Sequence, residues 1–136
     1  MKLIFIDSDI LLDALLERET YAVWAKGLLR LLDGKNYTGC TSVHSLLNIH
    51  YLLKKRVGEK PARASIKLLS DNLRIIAEDG QIIKQAIVSD FGDFEDAVQY
   101  YSAANAKADA IITRNIKDYK HATLPVLSAE QFLRSI

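Results

Sequence analysis

The chain has 136 residues, 49% hydrophobic and 26% charged, which suits one domain over 1–136 with a buried core and excludes disorder or low complexity. A formal net charge of +1 excludes a whole-molecule field that gathers nucleic acid, so any such binding must rest on local charge. The single cysteine, Cys40, excludes an internal disulfide and fits a reducing compartment; the first residues lack a basic start followed by a long apolar segment, so the expectation is a cytoplasmic protein without a signal peptide or membrane span.

Lys2-Leu-Ile-Phe-Ile6 is a short apolar run that predicts a strand buried on both faces of a parallel sheet. Asp7 then falls at the strand's carboxyl end, where open α/β sheets place ligands. Residues 8–16 read as a helix with Ile10, Leu11, Ala14 and Leu15 on its apolar face. Asp7 and Asp9 are hard oxygen donors for a divalent cation; equally, Ser8 or Asp9 serves only as a helix cap. Thr20 is expected to cap a second helix to about residue 33, with Tyr21, Trp24, Leu28 and Leu31 or Leu32 inward and Gly34 ending it.

A strand over 37–40 follows, with Cys40 as a packed core thiol. Thr41 or Ser42 caps a helix to about Arg56, placing Leu46, Leu47, His50 and Leu53 on its buried side. Asn48 lies off that side, either as a neutral ligand or as a structural amide needing a hydrogen-bond partner. Pro61 suits the first turn of a helix to Asn72, 73–77 reads as a strand and 79–88 as a helix. Asp93 is a cap for a helix to Asn105. Short strands are expected over 110–113 and 124–127, and Ser128 with Gln131 forms a capping box for a terminal helix. Strands alternating with helices predict a three-layer α/β/α domain with a mainly parallel central sheet.

Charge is unevenly placed. Residues 54–74 carry seven Lys/Arg against Glu59 and Asp71, whereas 90–96 carry four acids and no base. Asp93 and Asp96 share a helix face, with Tyr100 a turn further on, while Glu95 points elsewhere. The helix dipole favours acids in a first turn, but three acids within four residues repel one another and call for a cation. Thr113, Asn115 and Asp118 cluster after the strand over 110–113, at the edge where Asp7 should lie; Asn115 is alternatively a plain helix cap. Arg114 and Lys117 have the chemistry to hold phosphates. His44, His50 and His121 are scattered without zinc-site spacing.

Phe5-Ile-Asp7-Ser-Asp9-Ile-Leu-Leu-Asp13, then Asp93-Phe-Glu-Asp96-Ala97, then Ile111-Ile-Thr113-Arg-Asn115-Ile-Lys-Asp118-Tyr119 resemble, in order and spacing, the PIN-domain family, and within it the small single-domain VapC-like toxins. The resemblance covers essentially the whole chain. It implies an α/β/α fold and a Mg2+- or Mn2+-dependent ribonuclease that hydrolyses RNA phosphodiester bonds, partnered by a cognate antitoxin and often homodimeric. Asp7 matches the first metal-binding acid, Asp96 the third, and Asn115 with Asp118 the last position, with Thr113 the polar residue beside it; Asp93 joins Asp7, Asp96 and Asp118 as a possible metal ligand. Two positions depart from the family. Asp9 stands where Asn is usual, and Asn48 where Glu is usual, which removes one carboxylate; Asp93, Glu95 or Asp9 are the available replacements. Lys54, Lys55, Arg56 and Arg114 are the candidates for RNA-backbone contacts, which would be salt-dependent.

Two other readings stand beside this one. Asp7-Ser-Asp9 after a strand also resembles Mg2+-dependent phosphatases with an aspartyl nucleophile, although the chain is short for that fold and Thr113-Arg-Asn-x-x-Asp118 would go unexplained. With Asn48 in place of a ligand, the domain is alternatively a module that binds RNA or protein without cutting.

Overall fold

In the computed structural model, which describes residues 2–136, the opening strand β1 (Lys2–Ile6) becomes the middle of the sheet. Its side chains alternate across the strand. Ile4 and Ile6 enter one apolar layer, and Phe5 enters the other with Cys40, Ile111, Tyr100 and Ala103. All three are buried to within 1%, worth about 1.5–3 kcal/mol each.

The remaining elements follow in order. They are α1 (Ser8–Leu15), α2 (Ala22–Leu31), β2 (Tyr37–Ser42), α3 (Val43–Val57), α4 (Glu59–Asn72), β3 (Arg74–Ile76) and α5 (Gly80–Ile87). After these come α6 (Phe94–Asn105), β4 (Ala110–Ile112), a 3-10 turn over Ile116–Tyr119, β5 (Val126–Leu127) and α7 (Ala129–Ser135). The five strands are all parallel in the order β3-β2-β1-β4-β5. Helices α1 to α4 and α7 contribute to the layer under Ile4 and Ile6, while α6 packs on the Phe5 face, with α5 against α6. This is the expected three-layer α/β/α arrangement. Cys40 is fully buried, and burial pushes its thiol up to about 12, so it packs and does not react.

Several local expectations are corrected. Thr20 does not cap α2. It takes a left-handed φ of 75°, and the N-cap is Tyr21, without a side-chain bond, because Arg18 O already receives the amides of Tyr21 and Ala22. Tyr21 is 44% exposed, and its ring carries the Arg114 guanidinium at 4.1 Å. Helix α2 ends at Leu31, two residues early. On α3 the buried stripe is Ser45, Ile49 and Leu53, whereas Leu47 is 64% exposed. The strand over 124–127 shortens to two residues, and the 3-10 turn at 116–119 was not foreseen.

Gly39 in β2 has no room for a side chain. A Cβ there would lie 2.5 Å from Leu32 Cδ1 and 2.7 Å from Leu73 Cδ2. Gly39→Ala is expected to lower stability by about 1–3 kcal/mol through overpacking, measured as a reduced urea midpoint with unchanged slope; an unchanged midpoint would mean the two leucine tips swing aside freely.

Candidate metal centre

The chain leaves β1 toward β2 and β3 on one side and returns to its other side as β4 and β5. A crevice opens beyond the carboxyl ends of the strands at such a switch point, and the Asp7 amide, bonded to Ile112 O at 2.9 Å, marks its floor. Asp7 is itself the N-cap of α1, with Oδ1 accepting from the Ser8 amide at 2.7 Å. Its Oδ2 accepts from Thr113 Oγ1 at 2.9 Å and from Tyr119 OH at 3.2 Å. Burial is the main force on its pKa, which is raised despite these donors.

Asp9 lies beside it. Its Oδ2 accepts from the Arg114 amide at 3.1 Å and lies 3.3 Å from Thr113 Oγ1, but that hydroxyl has one proton and the shorter bond to Asp7. Asp9 Oδ1 is buried without a hydrogen-bond partner. Burial first, and the Asp7 charge second, raise Asp9 to about 7. Asp96, in the first turn of α6, is raised to about 6 by burial and then by the charges of Asp93, Asp118, Asp7 and Glu95.

The other expected residues divide in two. Asp93 is exposed and caps α6, its Oδ1 accepting from the Asp96 amide at 3.0 Å. Asp118 is exposed on the 3-10 turn, near enough for its charge to act on Asp96. The Asn115 amide donates to Thr113 Oγ1 at 3.1 Å while its side chain stays exposed and caps nothing. Asn48 reaches the rim, with Nδ2 donating to Ser8 Oγ at 3.3 Å. Glu95 turns to His44 on α3, 3.1 Å away though not aligned as a hydrogen bond. Lys54, Lys55 and Arg56 lie on the last turn of α3, about 9–12 Å along its axis beyond Asn48. Lys54 there pairs with Glu59 at 3.5 Å, and Lys55 sits over the Tyr51 ring at 4.3 Å. Arg114 lies 2.9 Å from the fully buried Asp13.

Two residues join the site that sequence reading did not assign to it. Tyr119 donates to Asp7, and burial with the Asp7 charge raises its pKa further, so its proton stays in place. Gln99, 4% exposed, bridges Ser42 and Ser45 at 2.6 Å each, and its amide also stabilises the Asp7 carboxylate. Its position three residues after Asp96 was the available signal.

Among the described residues, no three His, Cys, Asp or Glu side chains close into a preformed cage. Mg2+ needs none, since it keeps several waters and takes one or two carboxylates. The unpartnered Asp9 Oδ1 and the upward shifts of Asp7, Asp9 and Asp96 are what a donor set shows when its charge lacks a cation, so these oxygens fit such an ion.

The shifts carry a sign. Folded Asp9 and Asp96 hold protons up to about 7 and about 6, against 3.8 for the ordinary carboxyl. Between those values the folded state binds more protons than the unfolded state, so metal-free stability falls as pH rises. The melting temperature without metal is expected to be higher near pH 5 than near pH 8. Stabilisation by Mn2+ should grow over the same range, because the ion competes with protons. A metal-free melting temperature that rises between those pH values would show that the pair is not strained.

Comparison with known proteins agrees with this architecture. The family described as the PIN domain matches residues 3–117. No curated protein matches the chain significantly. Among solved structures, VapBC2 from Rickettsia felis, bound to a DNA fragment from its promoter, superposes with a TM-score of 0.69 at 18% identity over 93% of this chain and 97% of that one. A toxin–antitoxin complex from Klebsiella pneumoniae gives 0.68 at 21% identity over 92% and 96%. VapC20 of Mycobacterium tuberculosis, described as a toxin cleaving the sarcin–ricin loop, gives 0.62 at 23% over 79% and 86%.

Proposed function

The chain belongs to the PIN-domain family, and from that premise we propose that it is a Mg2+- or Mn2+-dependent endoribonuclease, the toxin of a toxin–antitoxin pair. The observation that carries the reading is the convergence of carboxylates at the sheet's switch point: buried Asp7 held by Thr113 and Tyr119, half-buried Asp9 beside it with an unpartnered Oδ1, and half-buried Asp96 within reach of the Asp7 charge. RNA is the substrate class, supported by the description of VapC20. An antitoxin partner is supported by the toxin–antitoxin complexes that share the fold. Exposed Leu47, Ile87, Val88 and Phe94 offer apolar surface to an antitoxin or to a second copy in a homodimer. No helix among the described residues is long and apolar enough to cross a membrane, which accords with action in the cytoplasm.

Asp7 and Asp96 would hold the ion, with Asp9 and Asp118 beside them; when bound, it supplies Lewis acidity toward water and phosphate. The chain's own work is orientation. Ser8 N, Thr113 Oγ1 and Tyr119 OH fix both oxygens of Asp7 before any ligand arrives. These three donors take three of the roughly four acceptor sites of the Asp7 carboxylate and leave one on Oδ1 for the ion. Asp96, raised to about 6 without a cation, would give up its proton as the ion binds, so metal binding there is coupled to deprotonation. Asn48, beside Ser8, is neutral where a carboxylate would add charge, so the ion's hold rests on fewer acids.

The test is cleavage of structured RNA by the purified chain. Cutting that needs Mg2+ or Mn2+ and stops with chelator supports the reading; intact RNA that binds in a salt-sensitive way would replace it with a binding module.

A further inference from the structure

A pocket of about 460 Å3 opens next to the acidic crevice, lined in part by Asp13, Tyr21, Trp24, Arg114, Asn115 and Lys117. We propose that it receives an unpaired nucleobase of a single-stranded RNA whose neighbouring phosphate lies at the acidic site. The inference rests on the RNA-cleavage reading above.

The backbone segment that builds one site also walls the other. The Arg114 amide donates to Asp9, and the Asn115 amide to Thr113, while both residues also line the pocket. Asp9 and Asp13 are one turn apart on the same face of α1. A nucleobase needs flat apolar faces and, at its edge, both donors and acceptors. Tyr21 and Trp24 supply rings; Arg114 already lies over one face of Tyr21 at 4.1 Å and Arg134 over one face of Trp24 at 5.1 Å, so a base would stack on the opposite faces or on the outer face of the Arg114 guanidinium.

Asp13 and Arg114 form the pocket's floor as an ion pair, and polar contacts to a base edge fall to more exposed groups. Asp13 is fully buried, and its Oδ2 lies 2.9 Å from Arg114 Nε, which holds the Arg114 side chain against the pocket. The Asn115 amide adds a donor and an acceptor, and exposed Lys117 at the wall provides a cation for a phosphate.

Trp24 is the chain's only tryptophan, so its fluorescence reads this pocket directly. The protein is titrated, in chelator and again as Asp7→Asn with Mg2+, with a single-stranded RNA of about six nucleotides and with an abasic oligomer of equal length. The expected result is quenching by the RNA and not by the abasic strand. Tyr21→Ala should weaken binding roughly 5- to 100-fold, and Lys117→Ala should reduce the salt slope by about one. If Tyr21→Ala does not fold, Tyr21→Leu carries the same arm. Equal quenching by the abasic strand, or unchanged affinity in the Tyr21 variant, overturns the pocket. RNA cleavage without any Trp24 response overturns the pocket and leaves the nuclease reading intact. Base-dependent quenching in a chain that cuts no RNA does the reverse.

Discussion

Asp7→Asn is expected to lose RNA cleavage by about 100- to 10,000-fold while becoming more stable than the parent without metal. On the proposed reading, withdrawing one ligand would remove several kcal/mol of charge stabilisation from the reacting phosphate. Asn has nearly the same shape, and the neutral side chain no longer carries the cost of ionising inside the crevice, which dominates the shift of Asp7 and adds to that of Asp9. Paired thermal melts and cleavage assays check both halves. Cleavage near parental rates would remove Asp7 from the reaction, and a clear drop in metal-free melting temperature would show that its three hydrogen bonds outweigh its desolvation.

The second large effect lies in the fold. Asp13 is fully buried with Arg18 Nη1 at 3.3 Å and Arg114 Nε at 2.9 Å. Arg114→Ala leaves that carboxylate with Arg18 alone, and removing one member of a buried pair costs about 3–5 kcal/mol. Both arginines are about a third exposed, so solvent screening favours the lower end, roughly 3 kcal/mol or about 10 °C in melting temperature. Adding Asp13→Leu should recover much of the loss, since no uncompensated charge then remains. If Arg114 served only as a phosphate contact, its removal would leave the melting temperature unchanged and alter only the salt dependence of RNA binding.

The layer order was legible because short apolar runs at 2–6 and 110–112 can hardly be anything but buried parallel strands, and amphipathic stretches between them are long enough only for helices. Asp7, Asp96 and Thr113 were legible because strand ends and first helical turns can be located from pattern alone. What escaped depends on contacts distant in sequence. Leu46 and Leu47 are equally apolar, so spacing admits either as an inner residue; Ser45 takes the inner stripe through Gln99, 54 residues away. Tyr119 closes a quoted motif, yet only the 3-10 turn brings its hydroxyl to Asp7. Arg114 reads as a phosphate ligand until Asp13, a hundred residues earlier, is seen beneath it. Thr20 is a good cap by composition, but the turn from Glu17, with φ of 49°, to Thr20 is stabilised by Arg18 O and needs no hydroxyl.

Both outermost strands are short: β3 spans three residues and β5 two, with Pro125 directly before β5. An edge that brief offers another chain almost no ladder to extend, and proline removes one of its donors. Copies of this protein therefore have little opportunity to join strand to strand, and fibre-like growth is disfavoured at the level of the backbone. A protein partner is thus expected to meet it through helices and loops and not by extending the sheet, so complex formation should leave amide exchange at both sheet margins unchanged.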